Sequence, residues 1–135
     1  MQPAYEEIEH TADWALRVRG QTLTELFRNA GLGMLSLLDI EHAPGNAESR
    51  FFELKADDNE TLLVTWLEEL LYPLEVENAA VVDFEVDVLE KTQLKATIEL
   101  KKIASIKKEI KAVTFNELDI RAIESGYETI IVFDV

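Results

Sequence analysis

Three stretches of the sequence combine residue types able to do chemistry. Glu9-His10-Thr11-Ala12-Asp13 brings an imidazole, a hydroxyl and a carboxylate within five positions, just ahead of an apolar strand pattern. On spacing alone it reads as a polar turn in which Thr11 or Asp13 caps backbone groups. Ile110-Lys111-Ala112-Val113-Thr114-Phe115-Asn116 reads as a strand with Lys111 and Asn116 toward solvent. The sequence closes on Phe133-Asp134-Val135, where an apolar strand puts an acidic side chain beside the α-carboxylate of Val135. Chain ends usually fray. A strand paired to its last residue would instead hold two anionic groups together, and these repel unless a cation or a lysine sits between them. Oxygen-only ligands suit a hard ion such as Ca²⁺, Mg²⁺ or Mn²⁺. Spacing does not decide whether Asp13 joins them.

Several other chemistries are excluded. The dinucleotide-binding glycine pattern, the phosphate loop and the serine elbow are absent. There is no cysteine, which removes disulfides, thiolate metal sites, iron–sulfur clusters and cysteine nucleophiles. His10 and His42 do not stand at a zinc-site spacing. Against 13 Lys and Arg there are 27 Asp and Glu, a net charge of −14. Nucleic-acid affinity rests on neutralising phosphates, so direct nucleic-acid binding is not expected. Such a surface suits cations or a basic protein face. Met1 to His10 holds Glu6, Glu7 and Glu9 without a basic residue, unlike a secretion signal. No apolar run approaches the ~20 residues that span a bilayer. A cytoplasmic, soluble protein without membrane contact is expected. The 135 residues fit a single domain, 1–135.

The elements that must position these residues follow from periodicity. Ala15 to Gly20 alternates as a half-buried strand. Thr22 to Leu38 carries an apolar face at helical spacing, with Thr22 and Glu25 in a capping-box arrangement. Gly31 and Gly33 interrupt its second half. His42 to Ser49 reads as a loop and Arg50 to Ala56 as a strand. Asp57 to Glu60 starts a second helix, and Pro73 is expected to end or kink it. Val82 to Val88 and Leu94 to Leu100 alternate as a hairpin. Ile110 to Ile120 gives a less regular strand and Tyr127 to Val135 a final one, after a turn at Glu124-Ser125-Gly126. Short connections make the late strands antiparallel. The fold class is α+β, with two amphipathic helices packed on a mostly antiparallel sheet.

Taken together, these stretches resemble the archease family. The resemblance rests on Tyr5-Glu6-Glu7-Ile8-Glu9-His10-Thr11-Ala12-Asp13, Leu26-Phe27-Arg28-Asn29-Ala30, Trp66-Leu67-Glu68-Glu69-Leu70-Leu71, Ile110 to Phe115 and the closing Phe133-Asp134-Val135. It covers essentially the whole chain in order. It implies a non-catalytic, metal-binding accessory factor of an RtcB-type RNA ligase in tRNA splicing and RNA repair. Such factors promote guanylylation of the ligase by GTP and its multiple turnover. The resemblance also implies metal ligands at Asp13, Asp134 and the carboxylate of Val135, and a stimulatory role for Lys111. His10 is expected to orient the metal-binding aspartate rather than bind the metal. The family often has Tyr-His after Lys-Ala-Val-Thr, where this chain has Phe115-Asn116. Asn116 keeps a hydrogen-bonding amide but cannot act as a base.

Two other functions compete. One is a general chaperone or modulator of RNA-modifying enzymes such as tRNA methyltransferases, which would show exposed apolar patches. The other is a stand-alone metal-dependent hydrolase using Asp13 and Asp134, which lacks an obvious base and nucleophile pair.

Overall fold

The structure, a computed structural model, describes residues 2–8 and 13–135, and for Leu89 the backbone only. Strands β1 (Tyr5–Ile8) and β2 (Trp14–Gly20) lead into helix α1 (Leu23–Leu38). Strands β3 (Ile40–His42) and β4 (Glu48–Lys55) precede helix α2 (Asn59–Val76). The remainder is β5 (Ala79–Leu89), β6 (Gln93–Ile106), β7 (Ala112–Thr114), β8 (Arg121–Ile123) and β9 (Gly126–Asp134).

Among the described residues the strands form two antiparallel sheets. One runs β1-β2-β9-β7, with β8 also on β9. In the other, the long β6 is flanked by β5 on one side and by β4 and β3 on the other. Each helix touches strands of both sheets: α1 packs on β2 and β5, and α2 on β5 and β7. The helices are thus the layer on which both sheets bury their apolar faces, and the α+β expectation holds. A single hydrophobic cluster, from Leu16 through Leu67 to Phe133, joins all of these layers. Trp66 sits at its centre, fully buried. Its indole N–H donates to the Phe27 carbonyl at 3.0 Å, and its ring meets Phe84 edge-on at 5.3 Å.

The caps are those the sequence announces. Thr22 accepts from the Glu25 N–H at 3.1 Å to open α1, and Asp58 accepts from the Thr61 N–H at 2.7 Å to open α2. Several boundaries differ from expectation. Gly31 and Gly33 do not interrupt α1; both are buried inside it. A Cβ at Gly31 would come within 2.9 Å of the Phe84 ring, and one at Gly33 within 2.9 Å of the Tyr5 ring. These glycines are there for close approach rather than for a turn. Helix α2 also runs on past Pro73 to Val76. Pro73 stands in the last turn, where the Glu77 N–H bonds back to its carbonyl at 2.9 Å and keeps the turn closed. His42 belongs to β3 rather than to a loop. The expected strand from Ile110 to Ile120 holds only three residues, β7, before a turn in which Leu118 N–H reaches the Phe115 carbonyl. The short strands β1, β3 and β8 have too few residues for periodicity to register.

Candidate functional site

The central strand of the first sheet sets the geometry. β9 pairs with β2 from Gly20↔Tyr127 to Trp14↔Phe133. The pairing ends there; continued by one step, the register would set Asp13, the residue before β2, across from Asp134. Leu16, Ile131 and Phe133 are buried toward the helices. Successive side chains alternate, so Asp134 belongs to the outer face of the sheet, as Asp13 would on that continuation. Directly opposed residues of an antiparallel pair lie ~4.5–5.5 Å apart at Cβ, close enough to share a small ligand.

On its other side β9 pairs with β7, with Ala112 opposite Asp134. Just before β7, the Lys111 N–H donates to the Asp134 carbonyl at 2.8 Å. Asp134 is therefore held by β7, and Phe133 before it by both β2 and β7. Val135 is half-buried and packs against the hydrophobic cluster. The last turn of sheet is anchored on both flanks and from beneath, which opposes fraying.

The neighbouring outer face is already neutralised. Arg19 pairs with Glu128 at 2.8 Å and with Glu6 at 3.2 Å, and Arg17 reaches Glu6 at 3.4 Å. The exposed Asp134 carboxylate forms no ion pair or side-chain hydrogen bond with another described residue. A second cation approaches from the inner side. Lys108 places its Nζ 5.1 Å from the centroid of the Trp14 ring. Trp14 and Lys108 escape sequence reasoning, because nothing in the local spacing links them; the tryptophan directly after Asp13 is the only hint.

Among the described residues, no three His, Cys, Asp or Glu side chains are grouped to hold a metal ion. The side-chain donors expected at this sheet end, Asp13 and Asp134, are both carboxylates. This all-oxygen set fits a hard cation and not a soft one. His10 lies outside the described residues. Asn116 is exposed in the turn beyond β7, and its N–H bonds to Thr114 Oγ1 at 3.2 Å. Because β7 runs antiparallel to β9, Asn116 lies away from the Asp134 end. The sheet therefore brings the backbone of Lys111 to Asp134 and leaves Asn116 apart, while Asp13 directly precedes β2 and Val135 directly follows β9.

The strongly perturbed groups are elsewhere. Glu77 and Glu48 bracket Arg50 and hold its guanidinium proton more tightly than usual, while Arg50 in turn keeps Glu77 below the ordinary carboxylate range. This cluster ties β4 to the end of α2 and has no link to the carboxylate pair. No helix among the described residues is long and apolar enough to cross a membrane.

Comparison with known proteins gives the family of the chain. The model of the archease protein family matches residues 5–135. The chain belongs to the archease family. The archease of Methanosarcina mazei is 36% identical over 142 residues, covering 97% of this chain and 95% of that protein. The archease of Archaeoglobus fulgidus is 34% identical over 135 residues, covering 97% and 98%. Two solved structures share the archease fold. The solution structure of protein 1598 from Methanobacterium thermoautotrophicum has a TM-score of 0.69 and 26% identity, covering 98% of this chain and 99% of that one. A crystal structure described as an archease, possible chaperone, from Thermotoga maritima has a TM-score of 0.70 and 23% identity, covering 96% of each. At that identity the second likeness bears on fold alone.

Proposed function

We propose that this archease-family chain is a non-catalytic accessory factor that activates an RtcB-type RNA ligase by promoting its guanylylation with GTP. The observation that supports this reading is the β2–β9 pairing up to Trp14↔Phe133, which would set Asp13 across from Asp134 if continued by one residue, with the Lys111 N–H on the Asp134 carbonyl. Asp13, Asp134 and the carboxylate of Val135 would hold a hard divalent ion such as Ca²⁺, Mg²⁺ or Mn²⁺. When bound, such an ion supplies concentrated positive charge to oxygen anions. The chain's own part is to fix two carboxylates on one face and to hold the strand end through Lys111. The Lys111 side chain is exposed at this edge, within reach of an anionic group on a docked partner. Among the described residues, nothing beyond these groups offers the base and nucleophile pair of a stand-alone hydrolase.

The test is GTP-dependent guanylylation of the cognate ligase with and without the chain. Wild type is expected to raise the rate. Asp13→Ala and Asp134→Ala are each expected to abolish the increase while the far-ultraviolet circular dichroism stays that of wild type. Full stimulation by both variants would sink the site assignment, and no stimulation by wild type would sink the function. The chaperone reading has its own support in the exposed Phe51, Tyr72, Val76 and Phe115. Rescue of an aggregating RNA methyltransferase, with no effect on the ligase, would favour it.

A further inference from the structure

The connection between β6 and β7, residues 107–111, is pinned along its length to several other elements. Lys107 pairs with Asp39 at 3.8 Å, and the Lys108 N–H donates to the Leu38 carbonyl at 3.4 Å, both at the end of α1. Ile110 is buried in the hydrophobic cluster. The Lys111 N–H donates to the Asp134 carbonyl at 2.8 Å, at the end of β9. The Lys108 ammonium adds a contact at the start of β2, where it lies 5.1 Å from the centroid of the Trp14 ring.

Carboxylates are near Lys108 as well, for Glu6, Glu7 and Asp39 line the same cleft. Glu6 is met by Arg17 and Arg19, however, and Asp39 by Lys107. The ammonium is placed over the indole, whose ring quadrupole attracts a cation. That ring is a firm anchor. Trp14 is half-buried against the hydrophobic cluster, and its backbone is paired with Phe133. Trp14 shares its face of the strand with Leu16, toward the helices, whereas Asp134 belongs to the outer face. Lys108 therefore works from the side of the sheet away from the Asp134 carboxylate. It bears on that end of the sheet through the ring it covers and through the segment that carries Lys111.

We infer that Lys108 is a positioning residue: its ammonium on the Trp14 ring fixes the 107–111 connection, so that Lys111 is held at the Asp134 end of β9. The consequence for a ligase rests on the function proposed above. The positioning itself is a property of the isolated chain and needs no metal.

Two measurements test it: amide hydrogen exchange of the isolated chain by nuclear magnetic resonance, and the guanylylation rate of the cognate ligase at saturating chain. Lys108→Met keeps the aliphatic stem and drops the charge. It should speed exchange of the Lys111 N–H about two- to fivefold, the size of one exposed cation–π contact, while the buried Leu67 of α2 exchanges as in wild type. Lys108→Arg puts a cation back over the ring and should return Lys111 to the wild-type rate. Trp14→Leu should match Lys108→Met, and the two changes combined should be no worse than either alone. Ligase stimulation should fall by a similar factor and follow the same pattern. Lys95→Met, the same charge change on the exposed face of the second sheet, should leave stimulation at the wild-type level.

An unchanged Lys111 rate in Lys108→Met would overturn the inference, as would equal acceleration of Leu67 and Lys111. Additive losses of stimulation in the double variant would also overturn it, because they would put Lys108 in direct contact with the ligase. If Trp14→Leu fails to fold by circular dichroism, the contrast between Lys108→Met and Lys108→Arg in the exchange of Lys111 decides. No stimulation by wild type would overturn the proposed function, and the exchange rates alone would then decide the positioning.

Discussion

In the proposed site Asp13 and Asp134 would oppose one another on one face of an antiparallel pair, and like charges so placed destabilise the pairing. Along the same face the acidic residues Glu6 and Glu128 are each met by an arginine, whereas Asp134 has no such partner among the described residues. This uncompensated charge makes a prediction about stability distinct from the ligase assay. In chelator, Asp134→Asn should be slightly more stable than wild type, by about 0.2–1 kcal/mol for relief of one like-charge pair. For a chain of this size that is roughly 1–4 °C in thermal midpoint. A divalent ion in excess should then raise the midpoint of wild type and leave that of the variant nearly unchanged. Differential scanning fluorimetry with calcium, magnesium and manganese reads both effects. Equal responses of the two proteins to every ion would remove Asp134 from the donor set. The sequence put each of these residues on view, but not their juxtaposition. Asp13 and Asp134 are separated by nearly the whole chain, and only the pairing of β2 with β9 brings the strand ends beside them together.

At the scale of the element, local signals and tertiary demands part company in instructive places. The capping residues Thr22 and Asp58 were legible because a cap is a short-range contact between a side chain and a backbone N–H three residues on. The glycines of α1 were not, because what they accommodate lies on β1, β2, α2 and β5. Their cost in helix propensity, about 1 kcal/mol each relative to alanine, is offset by the close approach of Tyr5 and Phe84. Gly33→Ala should therefore destabilise the protein despite better propensity. Overpacking of this kind costs about 1–3 kcal/mol, and urea unfolding would measure it. A gain in stability would mean that Tyr5 moves aside freely. The ends of α2 make a prediction about pH. The Thr61 N–H holds the Asp58 carboxyl below its ordinary pKa, and Arg50 does the same for Glu77. A depressed carboxylate pKa contributes stability that is present above the ordinary value and is lost as pH falls through the folded one. Both contributions should fade below about pH 4. Glu77→Gln should be less stable than wild type at pH 7 and lose less on going to pH 3, as read from urea midpoints at each pH. Parallel losses in the two proteins would show that the Arg50–Glu77 contact does not govern the acid limb.

The whole molecule carries a field as well as a fold. Its net charge of −14 is spread over both sheets, with local relief where Arg17, Arg19 and Arg50 sit among glutamates. If the chain acts in RNA chemistry as proposed above, its net charge of −14 predicts that it does so through another protein. Phosphate binding releases counterions from the nucleic acid only where cations on the protein replace them. Here the exposed lysines at the carboxylate edge, Lys108 and Lys111, are outnumbered across the surface. Isolated chain should therefore give no shift of labelled tRNA halves at physiological salt. A basic protein partner should respond in the opposite way. Its association should be fast at low ionic strength and slow steeply as salt shortens the Debye length from about 10 Å at 0.1 M to about 3 Å at 1 M. The dissociation rate should change much less, because apolar contact and not long-range charge holds a docked complex together. Surface-binding kinetics of the chain on immobilised ligase, repeated across a salt series, separates the two rates. Tight, salt-sensitive binding to the tRNA halves, or an association rate indifferent to salt, would show that the acidic surface serves solubility alone.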